Sequence, residues 1–159
     1  MGTRATLLAG LLLVATAATA SADRSADRTE ERQLFRQAEL ALHYGQQGRF
    51  RALARELRHY PLLPYLLRRD LGNRLGQVDD PELRLFFYRY GDTLPGDRLR
   101  RQLLDRLANR GDWARFLRFW TPDMGTRLGC HHRHALLETG KRDRAAAPGR
   151  LPHRAAAAG

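Results

Sequence analysis

Turn residues interrupt this chain at intervals of about ten to fifteen residues, and each interval carries one apolar face at helical spacing. The breaks are Gly45-Gln46-Gln47-Gly48, the pair Pro61 and Pro64, Gly76-Gln77-Val78-Asp79, Gly91 to Gly96, and Asn109-Arg110-Gly111-Asp112. Between them lie the stripes Leu34, Phe35, Ala38, Ala41, Leu42, then Phe50, Leu53, Ala54, Leu57, then Tyr65, Leu66, Leu71, Leu75. Leu83, Phe86, Phe87, Tyr90 follow, then Leu99, Leu103, Leu107, Ala108, and then Trp113, Phe116, Leu117, Trp120. No stretch alternates with period two for long enough to make a strand. The chain therefore reads as all-α, with helices starting near Glu30 behind a Thr29 cap, near Arg49, near Pro64, at Asp80-Pro81-Glu82, after Gly96, and at Trp113. Residues 131–138 open a seventh helix.

Helices this short, each with a single greasy face, must bury that face on a neighbour. Turns of about four residues fold consecutive helices back as αα-hairpins. The pattern predicts a right-handed superhelix of such hairpins, a degenerate tetratricopeptide-like stack without a strict period of about 34 residues. A compact helical bundle fits the same pattern.

The two ends differ from this body. Arg4 precedes an apolar run centred on Leu7, Leu8, Leu11, Leu12, Leu13 and Val14, and Ala18-Thr19-Ala20 supplies a small-x-small cleavage site. Residues 1–20 thus read as a secretory signal peptide, too short and too rich in Ala and Thr for a membrane span. The product is expected in the periplasm, without stable membrane insertion after cleavage. Residues 21–29 form a polar lead-in and residues 30–140 the helical segment. Residues 141–159, with one leucine and two prolines among alanines and arginines, read as a disordered tail.

The net charge of +11 would point to nucleic acid in a cytoplasmic protein. Export weakens that reading, because the polyanions outside the inner membrane are phospholipid head groups and the cell wall; no nucleic-acid partner is expected, and a small secreted nucleic-acid or membrane binder would rest on charge alone. The arginines are spread over every segment, as on solvated helix surfaces.

No catalytic motif stands out. Glu39, Glu56, Glu82 and Glu138 lie among polar helix neighbours, and there is no Gly-x-Ser-x-Gly, phosphate loop or HExxH. The nearest approach to a site is Cys130-His131-His132-Arg133-His134. Cys130 and His134 share a helical face, yet two ligands do not complete a zinc or copper site. Neither a metal nor a cofactor is expected. Cys130 is a lone cysteine in an oxidising compartment, either a buried thiol or half of a disulfide.

Four segments occur together in one order: His59-Tyr60-Pro61-Leu62-Leu63-Pro64-Tyr65-Leu66, Phe86-Phe87-Tyr88-Arg89-Tyr90-Gly91-Asp92-Thr93-Leu94-Pro95, Leu107-Ala108-Asn109-Arg110-Gly111-Asp112-Trp113, and Cys130-His131 ahead of Ala135-Leu136 and Gly140. Over roughly residues 30–142 this resembles the N-terminal superhelical region of the soluble lytic murein transglycosylases. The resemblance implies a ring-like α-superhelix in a periplasmic enzyme whose separate C-terminal domain cleaves the β-1,4 bond between N-acetylmuramic acid and N-acetylglucosamine. That domain's catalytic Glu, in a Glu-Ser context, matches no position here, so the chain is expected to be inactive alone. The resemblance also implies that Cys130 pairs with a cysteine beyond Gly159, and that the tail after Arg142 is truncated or out of frame. Its partners would be peptidoglycan glycan strands, held weakly by charge. The residues expected to matter are structural: Pro61, Pro64, Tyr65, Phe86, Trp113, Trp120 and Cys130. A stand-alone periplasmic binding or adaptor module is the alternative.

Overall fold

The computed structural model describes residues 28–146. The signal-peptide reading, most of the polar lead-in and the end of the tail lie outside them. Among the described residues every regular element is helical. The helices are α1 (28–43), α2 (Gln47–Glu56), α3 (Leu63–Asn73), α4 (Asp80–Tyr90), α5 (Leu94–Arg110), α6 (Trp113–Phe119), α7 (Thr126–Glu138) and α8 (Arg142–Ala146). The chain separates into two compact units at Leu67/Arg68.

In the first unit, α1 is already helical at residue 28, so Thr29 sits inside the helix and not ahead of it. Gly45, at φ 68°, makes the left-handed turn into α2. Ala38, Ala41 and Leu42 then meet Phe50, Leu53 and Leu57, with Leu63 and Leu66 closing the cluster. Two alanines in this stripe leave room for the Phe50 ring, which is fully buried.

The second unit shows how caps fix helix starts. Asp79, not Asp80, caps α4: its Oδ1 accepts from the Glu82 backbone N–H at 2.9 Å, and Pro81 occupies the first turn. Gly91 to Gly96, read as a turn, is only partly one. Thr93 caps α5 and Pro95 lies at its start, so Leu94 to Gly96 are already helical. Gly111, at φ 69°, ends α5, and Asp112 Oδ1 accepts from the Arg115 N–H at 3.1 Å to begin α6. Within this unit α4 packs on α5, and α5, α6 and α7 pack on one another. Leu83, Leu99, Leu103, Leu104, Phe116, Phe119, Leu128 and Ala135 make its core.

Three expected core positions differ. Tyr65 is 43% exposed because the buried stripe of α3 runs through Leu63, Leu66, Asp70 and Leu71, well round the helix from Tyr65. Trp113 and Trp120 are half-buried, while Phe119, which the apolar pattern passed over, is buried. Pro61 is exposed, Pro64 half-buried and Phe86 buried. The described start of the tail, α8, has no buried residue.

Candidate functional site

The densest set of chemically distinctive side chains lies where α6 meets α7. Asp112 starts α6 so that Trp113, Phe116 and Trp120 fall on one side, each three or four residues from the next. Gly125, at φ 82°, turns the chain into α7, whose second and third turns carry Cys130, His131, His132 and His134. Trp120 and His132 stack with centroids 4.4 Å apart and planes 7° apart. Trp113 receives His134 edge-on at 4.7 Å and His131 at 6.4 Å. Phe116 joins the row by lying 5.8 Å from Trp120. Burial pushes the His132 imidazole below its ordinary value.

These imidazoles thus interlock two helices. His134 lies 3.8 Å from Glu138 across one turn, and among the described residues no group of three His, Cys, Asp or Glu side chains is arranged to hold a metal ion. Cys130 is a free, exposed thiol, which removes the reading of a buried one. Leu136, on the same helix, is buried, and Leu137 is 51% exposed.

A second cluster was hidden in the sequence. Asp70 is 4% exposed on α3, and Arg74, one turn on, donates to its Oδ2 from Nε at 3.0 Å and Nη2 at 2.8 Å. Arg74 Nη1 also donates to Glu82 Oε2 at 2.9 Å, and Nη2 donates to Oε1, so one guanidinium ties α3 to α4. Hydrogen bonding to Glu82, with Asp70 adding to it, raises the Arg74 pKa and keeps it charged. The Asp70 Oδ1 has no hydrogen-bond partner among the described residues. Spacing of i and i+4 is the only trace this pair leaves in the sequence, and that trace is shared by any exposed helix pair.

The remaining charged ties are structural. Because Asp79 does the capping, Asp80 is free to accept from Arg115 Nε at 2.6 Å, and Arg118 approaches it at 3.1 Å. Arg115 also donates to the Val78 carbonyl at 3.0 Å. Arg101 spans Asp97 at 2.8 Å and the Met124 carbonyl at 2.7 Å. Arg100 lies over the Phe87 ring at 4.3 Å, where burial lowers its pKa against the opposing charges of Asp92 and Asp97. Glu56 and Glu138 are exposed, Glu39 is half-buried, and Glu82 is engaged by Arg74.

Among the described residues no helix is long and apolar enough to cross a membrane. Neither a family model nor a solved structure matches the chain. The chain is 32% identical over 142 residues to the soluble lytic murein transglycosylase of Escherichia coli strain K12, and equally to that of Escherichia coli O157:H7. The matched stretch is 87% of this chain and 21% of each relative. The order of segments read from the sequence and these identities agree: over about a fifth of its relatives' length, the chain is similar to the soluble lytic murein transglycosylases.

Proposed function

We propose that this chain is a non-catalytic, N-terminal scaffold segment of a periplasmic peptidoglycan lytic transglycosylase. In this reading α1 to α7 are successive hairpins of a right-handed α-superhelix that holds glycan strands, and cleavage of the MurNAc–GlcNAc bond belongs to a separate C-terminal domain. The observation that carries the reading is the 32% identity over 142 residues to one fifth of a murein transglycosylase. The placement of the glutamates supports it. A glycosidase-type general acid works as a carboxyl held protonated by an apolar pocket. Glu56 and Glu138 stand in solvent, and Glu82 binds the Arg74 guanidinium.

Export by residues 1–20 belongs to the same proposal, as does weak attraction of the arginine-rich surface to an anionic wall. So does the role of Cys130 as half of a disulfide. Its exposure fits that role: in air the purified chain is expected to form a dimer on a non-reducing gel, and Cys130→Ser to abolish it.

A zymogram on peptidoglycan tests the central point. The 159-residue product is expected to leave the gel uncleared. Clearing, lost in a single Glu→Gln variant that still folds, would overturn the scaffold reading.

A further inference from the structure

The helix α4 has two sides of opposite use. Leu83, Phe86 and Phe87 bury one of them in the core of the second unit. The other carries Pro81, Leu85 and Tyr88, all exposed: Leu85 by 52% and Tyr88 by 89%, the highest value of any large hydrophobic side chain among the described residues. At about 100° per residue these three fall within an arc of about 60°, and Arg84 and Arg89 border that arc, one on each side. Single exposed apolar residues need no explanation. Three on one arc, opposite the buried side of the same helix and edged by two cations, do.

The bordering charges are uncommitted. Both acids of α4 are engaged by other elements, Asp80 by Arg115 and Arg118, and Glu82 by Arg74. Asp92, just past the helix, lends its charge to Arg100. Arg84 and Arg89 are in no ion pair among the described residues, and Tyr88 meets no other ring and no hydrogen-bond partner there.

This layout fits the boundary of a lipid bilayer. Leu and Pro side chains enter the edge of the acyl layer, while a tyrosine ring sits at head-group level with its hydroxyl in the wet zone. Guanidinium groups on both flanks lay their aliphatic stems along the apolar arc and hold their charge at the phosphates. Eleven residues make a helix of about 16 Å, which lies on such a surface and does not cross it. A second copy fits worse. Two copies meeting through this side about a two-fold axis would set Arg84 and Arg89 of one against those of the other, with no free acid of α4 between them. A groove on another protein would have to supply an apolar floor and acidic walls at this one spacing, whereas a layer of anionic head groups supplies both everywhere.

We infer that the outer side of α4, with Pro81, Leu85 and Tyr88 between Arg84 and Arg89, is a contact site for the surface of an anionic phospholipid membrane. The contact is shallow, peripheral and reversible: three apolar side chains enter the interface and two guanidinium groups pair with phosphates. It goes beyond the scaffold reading and does not depend on it, so cell-wall retention can fail while this site stands, and the reverse.

The test is sedimentation of the chain from Ser21 on, the form that export is expected to leave, with vesicles of phosphatidylethanolamine and phosphatidylglycerol and, separately, of phosphatidylcholine alone. Wild type is expected to pellet with the anionic vesicles at low salt, to be released as salt rises, and to stay in solution with the neutral ones. Replacing Arg84 and Arg89 by Gln should lower retention by about tenfold. Replacing Leu85 and Tyr88 by Ser should lower it by about fivefold. Thermal unfolding midpoints should not move, because all four side chains are exposed. Replacing Arg106 and Arg133, exposed on α5 and α7, by Gln removes the same charge and should leave retention within about twofold. Tyr88→Trp should keep retention and, on brominated lipid, show quenching beyond that of wild type, whose Trp113 and Trp120 are half-buried. An equal loss in the two arginine pairs would mean that overall charge and not this side of α4 holds the vesicles, and would overturn the inference. So would wild type that stays in solution, or a Tyr88→Trp variant that pellets without added quenching. If the Ser variant does not fold, the two arginine pairs and the quenching decide.

Discussion

The helices before Leu67 meet through methyl and phenyl groups, whereas those after Arg68 are also laced together by guanidinium groups and imidazoles. In the first unit Ala38, Ala41 and Leu42 face Phe50, Leu53 and Leu57, and no side chain of residues 28–67 is in an ion pair among the described residues. In the second, Arg74 joins α3 to α4, Arg115 ties α6 to the start of α4, and Trp113 and Trp120 lock onto three histidines of α7. Both units are built from the same kind of short amphipathic helix. The difference lies in what the core supplies. Small Ala38 and Ala41 share one buried cluster with the Phe50 ring, and apolar burial is enough there. In the α4 to α7 segment, arginines also satisfy carbonyls near helix ends, those of Val78, Phe119 and Met124.

The comparison breaks most readily in the two cores. Phe50→Ala in the first unit and Phe116→Ala in the second should each cost about 3–5 kcal/mol, because both rings are almost fully buried. Chemical denaturation would check this, and a cost under about 1 kcal/mol at either site would mean its core is not as described. Trp113→Ala, at a half-buried ring, should cost less, about 2 kcal/mol.

Charge should matter on one side only. Arg74→Ala strands the buried Asp70 carboxylate and should cost about 2–3 kcal/mol, below the loss for a fully buried pair because Arg74 is itself 20% exposed. Arg51→Ala or Arg55→Ala on α2, both exposed, should change stability by no more than about 0.5 kcal/mol. Glu82→Gln should fall between them, at about 0.5–1 kcal/mol, since Glu82 is 42% exposed. From sequence alone it is indistinguishable from Glu39, Glu56 and Glu138. Equal effects of the Arg74 and α2 substitutions in thermal melts would erase the contrast.

Gly96 gives a further, steric point. A Cβ there would run into the Tyr90 carbonyl oxygen, a backbone atom that cannot swing aside. Gly96→Ala should cost about 1–3 kcal/mol, read from the denaturation midpoint, while Gly48→Ala, which meets open space, should cost nothing by that mechanism.

The smallest expected effect is pH-dependent. Burial disfavours the charged form of His132, so the folded state prefers the neutral ring. The contribution of His132 is therefore whole above the unfolded value of about 6.5 and is lost as pH falls below it. Melting at about pH 7.5 and about pH 5.5 should show a drop that His132→Phe, which keeps a ring on Trp120, reduces. An unchanged drop would mean that another group carries it.

Much of the fold was open to reading in the sequence because helix starts and stops are local chemistry. Pro81 and the acids before it, Gly111 and Asp112 placed their turns, with an error of one residue over which acid caps α4. Thr93 and Pro95 carried the signal for the start of α5, and the glycines on either side masked it. What stayed hidden depends on two helices meeting. Nothing in Cys130-His131-His132-Arg133-His134 says that the imidazoles face Trp113 and Trp120, so the run resembled a partial metal site. Asp70 looked like any helix carboxylate until the stripe Leu63, Leu66, Leu71 carried it inside. The exposed tyrosines, too, were assigned by apolar character to the core side in the case of Tyr65, because spacing does not say which of two adjacent stripes is covered.

Salt-dependent sedimentation of the full chain with purified peptidoglycan, with the supernatant assayed for released sugar, tests the scaffold claim most directly. The account predicts protein in the pellet at low salt, its release as salt rises, and no soluble glycan at any point. Protein that stays in solution at low salt, or sacculi that lose glycan to the supernatant, would contradict it.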